Sequence, residues 1–263
     1  MSIRSIIKRL VPKSFRRIYN VVRCRISMIL SRIAYTFLGH DTQDCKSIPI
    51  VINNFNRLDY LTQLIGSLEK RGYHNIYIID NDSTYPPLLE YYKNCPYKVF
   101  MLGRNVGFKA IWETGIYKQF RKSWYVYTDS DLLIDENCPD DFMEKFMNIL
   151  KKYKNAQKAG FGLRIDNLPD HFKNKELVLE HERSFWEKET DPGVYEASID
   201  TTFALYRPFC GGAADDYMEN YRTGFPYVMH HLPWYVDSAA MTDEELYYVN
   251  NIKQSTHWSQ QSK

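Results

Sequence analysis

Short apolar runs alternate with amphipathic segments between residues 48 and 163. The runs at 48–52 and 76–79 are rich in β-branched side chains and four or five residues long, which is typical of buried strands. Between such runs, apolar residues recur at three- and four-residue steps, as on one face of a helix. The pattern predicts strands at 48–52, 76–79, 98–102, 124–127 and 159–163, and helices at 58–68, 86–92, 110–120 and 139–150. Alternation of this kind predicts an α/β fold, a mostly parallel sheet with helices on both faces.

The pattern divides the chain into four parts. Residues 1–40 form a basic amphipathic segment, 41–47 a polar linker, 48–165 the α/β half, and 166–263 an irregular, aromatic-rich region. In the last part we predict only one strand, at 201–206, and one helix near 243–252.

The first 40 residues carry nine basic side chains and no Asp or Glu, which leaves 25 basic against 32 acidic residues elsewhere, a balance of −7. Apolar residues form a stripe at helical spacing: Ile3, Ile6, Ile7, Leu10, Phe15, Ile18, Val22, Ile26, Ile29, Ile33 and Phe37. A basic helix with one apolar face is typical of a segment that lies on an anionic membrane surface. The alternative is that the stripe packs on the body of the protein.

Other partners and compartments are less compatible with the sequence. No run of about 18 apolar residues is present, so we predict no membrane-spanning helix, and Arg23, Arg25 and Arg32 interrupt any signal-peptide core. The acidic body and the absence of a nucleic-acid motif argue against nucleic acid. Five Cys without a C-x-x-C pair argue against disulfides or zinc and for a reducing compartment.

Two D-x-D triplets follow predicted strands, Asp80/Asp82 and Asp129/Asp131. Open α/β sheets bind ligands at the carboxyl ends of their strands. There, two carboxylates can hold Mg²⁺ or Mn²⁺, which prefer oxygen ligands and leave positions open for phosphate oxygens. We favour the metal for Asp129/Asp131 and hydrogen bonds to a base or ribose for Asp80/Asp82. The alternative for both triplets is that the carboxylates cap the turns that follow.

Four segments in order, I-P-I-V-I-N-N-F-N-R, I-I-D-N-D-S-T, G-R-N-V-G-F-K-A and Y-T-D-S-D, resemble the GT-A nucleotide-sugar glycosyltransferases, nearest glycosyltransferase family 2. The resemblance covers about 48–165. It implies a nucleotide-sugar donor at the strand ends and Mn²⁺ or Mg²⁺ at the D-S-D segment. By the same resemblance, the donor site would comprise Asn53, Asn54, Arg57, Asp80, Asp82, Arg104, Asn105, Lys109 and Asp129. The alternative for Arg104 and Lys109 is that they are solvated surface cations.

The second half of the chain departs from that family. It has no clear E-D pair and no Q-x-x-R-W segment, so a processive, polymer-extruding synthase is not expected. The segments S-I-D-T-T-F-A-L-Y and H-H-L-P-W-Y look like those of bacterial glycosyltransferase-like proteins of surface-polysaccharide pathways. We therefore predict a glycosyltransferase on the cytoplasmic face of a bacterial membrane, which moves a sugar to a glycan or lipid-linked acceptor.

Two other functions are compatible with the sequence. One is a non-catalytic nucleotide-sugar-binding relative of the same fold. The other is a sugar nucleotidyltransferase, but such enzymes usually carry a Gly-rich, basic loop after the first strand, and the loop here is Asn-rich.

A histidine from the second half of the chain is the third candidate metal ligand. His231, in H-L-P-W-Y, is the best-placed candidate and His257 the second. A buried structural histidine is the alternative for each.

An inverting transfer also needs a carboxylate base. Asp200 is our candidate, because it heads the predicted strand 201–206, where partial burial would raise its basicity. The other candidates are Glu196, Asp215 and Asp216, and the alternative role for Asp200 is to cap its own turn.

Overall fold

The computed structural model describes residues 12–40, 42, 44–211, 217–237 and 239–252. Within these residues the strands are β1 (Ile50–Asn54), β2 (Ile76–Asp80), β3 (Lys98–Met101), β4 (Tyr125–Asp129), β5 (Leu132–Ile134), β6 (Ala156–Leu163), β7 (Glu189–Asp191), β8 (Val194–Glu196), β9 (Ala204–Tyr206) and β10 (Glu219–His231). The α-helices are α1 (Lys13–Leu38), α2 (Asp59–Glu69), α3 (Pro86–Asn94), α4 (Ala110–Glu113), α5 (Phe142–Lys152), α6 (Lys175–Arg183) and α7 (Asp243–Asn251).

All ten strands belong to one mixed sheet, in the order β3-β2-β1-β4-β9-β6-β10-β8-β7, with β5 paired to β10. The half β3-β2-β1-β4 is entirely parallel. In the other half, β9 is antiparallel to both β4 and β6, and β10 is parallel to β6. The predicted α/β architecture is therefore confirmed, and all five strands predicted in the first half exist.

The apolar runs predict strands correctly because both faces of the sheet are covered. Ile50 and Ile52 of β1 belong to a core that the sheet forms with α2 and α5. Val51, between them, points to a second core with Ile111 and Phe120 on the opposite face. Because β1 is buried on both faces, its sequence is a continuous apolar run rather than an alternating one.

The predicted helix at 110–120 is interrupted. Helix α4 ends at Glu113, and a separate 3₁₀ turn spans Ile116–Gln119. Gly115 between them has φ +75°, a left-handed conformation that ends a helix and that glycine adopts without strain.

The structure is more regular after residue 165 than the sequence indicates. β9 lies between β4 and β6, and the 13-residue strand β10 pairs with β5, β6 and β8. β10 escapes a pattern-based prediction because its register with β6 is interrupted between Thr223 and Val228, where Gly224 and Pro226 lie. The second half of the chain thus completes the sheet of the first half.

Helix α1 packs on the body through the face opposite the apolar stripe. Cys24 and Met28 are buried, and the Ser31 hydroxyl is 3.1 Å from the carbonyl oxygen of Phe209. The described members of the stripe are 49–80% exposed: Phe15, Ile18, Val22, Ile26, Ile29, Ile33 and Phe37. Packing of the stripe on the body, the alternative considered for this segment, is therefore not what the structure shows.

The four apolar residues of the stripe before Pro12 lie outside the described residues. None of the described helices combines the length and the apolarity needed to cross a bilayer.

We expect Gly160→Ala to lower the free energy of unfolding by about 2 kcal/mol or more. A methyl group there would lie 2.2 Å from the carbonyl oxygen of Phe203 and 2.8 Å from Cα of Ala204, so β6 and β9 would have to separate. Gly66→Ala is the matched control, because a methyl group on that position of α2 meets nothing within 4 Å. It should stabilise the protein by about 0.5–1 kcal/mol. Chemical denaturation followed by circular dichroism measures both, and an unchanged midpoint for Gly160→Ala would contradict the packing.

Candidate active site

Strand register brings the polar ends of β1, β2 and β4 together. Asn53 lies opposite Asp129 on β4, and Asn54 lies opposite Asp80 on β2. The Asn53 amide nitrogen donates to Asp129 Oδ1 at 3.3 Å, and the Ser130 hydroxyl donates to Asn54 Oδ1 at 2.6 Å. The predicted convergence of these side chains at one edge of the sheet is present.

Asp129 is held by the segment that precedes β9. Its backbone amide donates to the Thr201 carbonyl at 3.0 Å, and the Thr201 hydroxyl donates to Asp129 Oδ2. Burial and the nearby charge of Asp131 raise the pKa of Asp129 well above its usual range, against the effect of these hydrogen bonds. Both Asp129 oxygens thus already have protein partners.

Asp131 faces His231 across a distance of 3.4 Å between Oδ2 and Nε2. The two meet because β5 pairs with the end of β10 and the Leu232 amide donates to the Asp131 carbonyl at 2.9 Å. Burial acts to raise the pKa of Asp131, but His231 and the guanidinium of Arg57 outweigh it and hold that pKa below its usual range. The Nδ1 atom of His231 is buried and has no hydrogen-bond partner.

The neighbouring His230 points to a buried ionic network that fixes the end of β10. Its Nε2 lies 2.9 Å from Asp135 Oδ2, which also accepts from Arg164 Nη1 at 2.8 Å. Asp135 is fully buried, and its hydrogen bonds outweigh burial and hold its pKa below the usual range. The network anchors the backbone on which His231 is presented to Asp131.

Arg57 is a buried cation beside the D-x-D segment. Its side chain is only 8% exposed, and its Nη1 has no hydrogen-bond partner. The guanidinium carbon lies 3.6 Å from the ring centroid of Tyr248 and 4.8 Å from that of Tyr60. Burial raises the pKa of Tyr248 to about 12, so this ring stays neutral against Arg57. Arg57 is thereby fixed as a hydrogen-bond donor with unused capacity.

Tyr248 and its helix α7 were not predicted to belong to the site. The Glu244 carboxylate accepts from the amides of Leu58 at 2.6 Å and Asp59 at 3.0 Å, which satisfies the free N–H groups at the start of α2. The Tyr60 hydroxyl donates to Glu245 at 2.8 Å. Helix α7 therefore covers the loop after β1 and holds Tyr248 on Arg57.

Several predicted donor-site residues have structural partners. Asp80 is fully buried and its Oδ1 accepts from the Ser83 amide at 2.9 Å, so it caps the turn after β2. Asp82, half-buried, has φ +72° in that turn. Turn capping, the alternative for this triplet, is observed for Asp80.

The predicted residues of the loop after β3 lie outside the cavity beside the D-x-D segment. Arg104 and Asn105 are exposed, Lys109 is half-buried, and none of the three lines the cavity described next. Asn105 Oδ1 accepts from the Gly107 amide at 2.9 Å within its own turn.

A cavity of about 410 Å³ opens beside the D-x-D segment. Its wall includes Asp129, Asp131, His231, Asp200, Trp234 and the buried ion pair between Arg222 and Glu182, whose atoms are 2.7 Å apart. Asp200 reaches this cavity as predicted. It is exposed, however, and β9 begins only at Ala204, so the expected burial at the edge of a strand is wrong.

Asp131 and His231 fit a divalent cation. Two ligand atoms in neighbouring positions around one such ion lie roughly 3 Å apart, close to the 3.4 Å observed. An imidazole ligand favours Mn²⁺ over Mg²⁺, which takes oxygen almost exclusively. Across the described part of the chain, no three His, Cys, Asp or Glu side chains converge as a complete metal site. His257 lies outside the described residues.

A known protein family matches the part of the chain that contains these strand ends. The model of the family "Glycosyl transferase family 2" matches residues 50–196, more than half of the chain. The chain belongs to glycosyl transferase family 2. The matched residues begin with β1 and include the whole D-x-D segment, and the predicted GT-A type of α/β fold is thereby confirmed. No curated protein matches the chain.

Three solved structures are among those similar to this chain. A mannosyltransferase from Pyrobaculum calidifontis, in complex with GDP-Man and Mn²⁺, is 12% identical over 89% of this chain and 70% of its own, with a TM-score of 0.45. The TarS 1–349 fragment from S. aureus is 16% identical over 61% and 47%, with a TM-score of 0.37. Glucosyl-3-phosphoglycerate synthase from Mycobacterium tuberculosis, in complex with phosphoglyceric acid, is 14% identical over 64% and 63%, with a TM-score of 0.35. The match covers less than two thirds of the last two chains.

We expect Asp131→Asn and His231→Gln each to weaken Mn²⁺ binding at least about tenfold, because each removes one of two protein ligands. The electron paramagnetic resonance signal of free Mn²⁺, titrated against protein, measures this directly. Asp170→Asn is the control, since that carboxylate is fully exposed and does not line the cavity. Equal Mn²⁺ affinity in all four proteins would show that the metal lies elsewhere.

Proposed function

We propose that the protein transfers a sugar from a nucleotide-sugar donor to a hydroxyl group of a glycan or lipid-linked acceptor in bacterial surface polysaccharide synthesis. Membership of glycosyl transferase family 2 supports the transfer of a sugar. The observation that carries the proposal is the buried Arg57, stacked on Tyr248 with an unused donor nitrogen, next to the facing pair Asp131 and His231. A buried cation and a metal-binding pair at the carboxyl ends of parallel strands suit a diphosphate.

The chain's own residues would bind and orient the donor. Arg57 can donate to diphosphate oxygens without rearrangement, because Tyr60 and Tyr248 already hold its planar group. Asn53 orients Asp129, and Asn54 is fixed by Ser130, so both strand ends are rigid. A divalent cation held by Asp131 and His231 would offset the negative charge of the leaving diphosphate. Roles for Asp80, Asp82, Arg104, Asn105 and Lys109 at the donor remain predictions.

Asp200 is the best candidate for the base among the described residues that line the cavity. The other carboxylates there are Asp129, Asp131 and Glu182. Asp129 accepts two protein hydrogen bonds, Asp131 faces His231, and Glu182 pairs with Arg222. Asp200 alone is exposed to an incoming hydroxyl group, and it would take the proton as the new glycosidic bond forms.

Release of nucleoside diphosphate from a panel of common nucleotide-sugars with Mn²⁺ tests the activity. We expect the wild type to turn over one donor. Asp131→Asn should lose both turnover and donor affinity, and Asp170→Asn should change neither. Asp200→Asn should lower kcat by about 10²-fold while the Kd for the donor stays the same. A loss in Asp200→Asn confined to donor affinity or to thermal stability would rule out the base.

The same assay separates the other functions. A non-catalytic relative would bind one nucleotide-sugar without releasing diphosphate. A nucleotidyltransferase would instead release pyrophosphate from a nucleoside triphosphate and a sugar phosphate.

We also propose that α1 lies on an anionic membrane surface. At about 100° per residue, the stripe from Phe15 to Phe37 projects opposite the packed residues Cys24, Met28 and Ser31. The same geometry places Arg16 and Arg23 along one border of the stripe and Arg25 and Arg32 along the other. An apolar face directed outward between two basic borders suits the boundary between acyl chains and headgroups. Five free cysteines support the inner, reducing side of the membrane.

Replacing Ile26 and Ile33 by Gln should weaken binding of the full chain to phosphatidylglycerol-containing vesicles by more than tenfold, because each side chain would lose its burial in lipid. Since both are about half exposed in the protein, its melting temperature should not change. Leu177→Gln with Leu246→Gln is the matched control, two apolar residues of similar exposure on α6 and α7. Vesicle binding that is unaffected by the α1 changes, or a shift in oligomeric state instead, would contradict membrane association.

A further inference from the structure

A second polar cavity, of about 250 Å³, lies in the seam between α1 and the body. Four basic side chains line it, Arg32 from α1 and Lys151, Lys154 and Arg207 from the body, and no Asp or Glu does. One of its walls is aromatic, formed by Tyr35 and Trp124 with their ring centroids 6.4 Å apart. The cavity is on the far side of the molecule from the D-x-D segment, at the end of the sheet where β4 begins.

Arg207 is the buried base of this cavity. It is 9% exposed, and it donates to the carbonyl oxygens of Ala156 at 2.6 Å, Tyr153 at 3.0 Å and Leu150. The bonds to Leu150 and Tyr153 satisfy carbonyl groups at the end of α5, and the bond to Ala156 joins Arg207 to the start of β6. Burial, and to a smaller extent the charge of Arg32, lowers the pKa of Arg207 to about 10, so the two cations are close enough to disfavour each other.

The positive charge of the cavity is not compensated within the described residues. The side-chain nitrogens of Arg207 donate to carbonyl oxygens, and its guanidinium carbon lies 5.6 Å from the ring centroid of Trp124. No described carboxylate forms an ion pair with Arg32, Lys151 or Lys154. Lysines near a helix C-terminus often offset its partial negative charge. At α5 the buried guanidinium of Arg207 already does this, and no described carboxylate neutralises the charge that Lys151 and Lys154 add, so the cavity suits a bound anion.

Size and position indicate which anion. A cavity of this volume is smaller than the usual site for a drug-sized ligand, but it can hold a phosphate group with a small polar substituent. The cavity lies between α1 and the body, beside the Arg32 border of the exposed stripe and within about one helix diameter, or 10 Å, of it. If the stripe lies at the acyl boundary, the cavity therefore lies at the level of the headgroups.

We propose that this cavity binds the phosphate of an anionic lipid headgroup and so adds a specific contact to the surface on which α1 lies. The proposal rests on the membrane association of α1 but not on sugar transfer. Arg32 borders the stripe and also lines the cavity, so one side chain belongs to both contacts. Arg207 holds the end of α5 in place. Lys151 and Lys154 are both exposed, and their long side chains supply positive charge that can adjust in position to a bound phosphate.

The test compares two vesicle types of equal surface charge. One mixes phosphatidylcholine with phosphatidylglycerol, and the other mixes phosphatidylcholine with oleate, an anionic lipid that has a carboxylate instead of a phosphate. The variant is Lys151→Gln with Lys154→Gln. Its matched control is Arg17→Gln with Arg25→Gln, which removes the same charge from exposed positions of α1 outside the cavity. The control should lose about fivefold per charge on both vesicle types.

We expect the wild type to prefer phosphatidylglycerol vesicles at least about tenfold, the lysine variant to lose that preference, and the control to keep it. If the variant and the control lose vesicle affinity equally, or if the wild type does not prefer either vesicle type, the cavity contributes only general electrostatic attraction. Either result would overturn the proposal.

Calorimetric titration with glycerol phosphate and inorganic phosphate separates a lipid from a free ligand. Weak binding of glycerol phosphate that is lost in the lysine variant but kept in Ile26→Gln with Ile33→Gln supports the headgroup site. Tight binding of free phosphate that does not compete with vesicles would overturn the lipid assignment. Neither measurement needs turnover, so a failure of the transferase assay leaves both results interpretable.

Discussion

The pairing of β9 between β4 and β6 is the constraint on which most of the molecule depends. It is only three residues long, and its backbone hydrogen bonds run to two strands at once. The residues just before it place Thr201 on Asp129 and Asp200 in the cavity. The residues just after it place Arg207 at the end of α5 and Phe209 under Ser31 of α1. One short antiparallel strand therefore positions both the residues of the D-x-D site and the contact between the body and α1.

The site itself is arranged around charges that the protein leaves partly unmatched. Arg57 is desolvated and stacked, yet one of its nitrogens has no acceptor. Asp131 and His231 are close enough to share a cation, and Asp129 beside them is disfavoured as an anion. Leaving buried polar groups without partners is costly to folding, and such groups are common where a ligand completes the set. The stability lost here is compatible with a site prepared for a charged substrate.

The local sequence was sufficient to predict those parts of the site that follow continuous apolar runs. Asp129 and Asp131 could be found because they lie at and just after the end of β4, and the resemblance to a family added Arg57. Thr201, Glu244 and Tyr248 were missed because they reach the site through an antiparallel strand and a helix from the far end of the chain. The spacing of apolar residues along the sequence does not indicate contacts of this kind. The T-x-x-E capping box at Thr242 and Glu245 predicts a helix start, but not what the helix covers.

Helix α1 and the D-x-D segment lie at opposite ends of β4, so the length of this strand separates them. Helix α1 meets the body at the start of β4, whereas Asp129 ends that strand, five residues and about 15 Å away. If the stripe rests on a bilayer, as proposed, the helix that makes the contact is separated from the D-x-D segment by about this length along β4. Under the proposed membrane contact, an acceptor anchored in the same bilayer would have to bridge the length of β4 if that strand runs away from the surface. The length of this strand would then set the shortest acceptor that could reach the site.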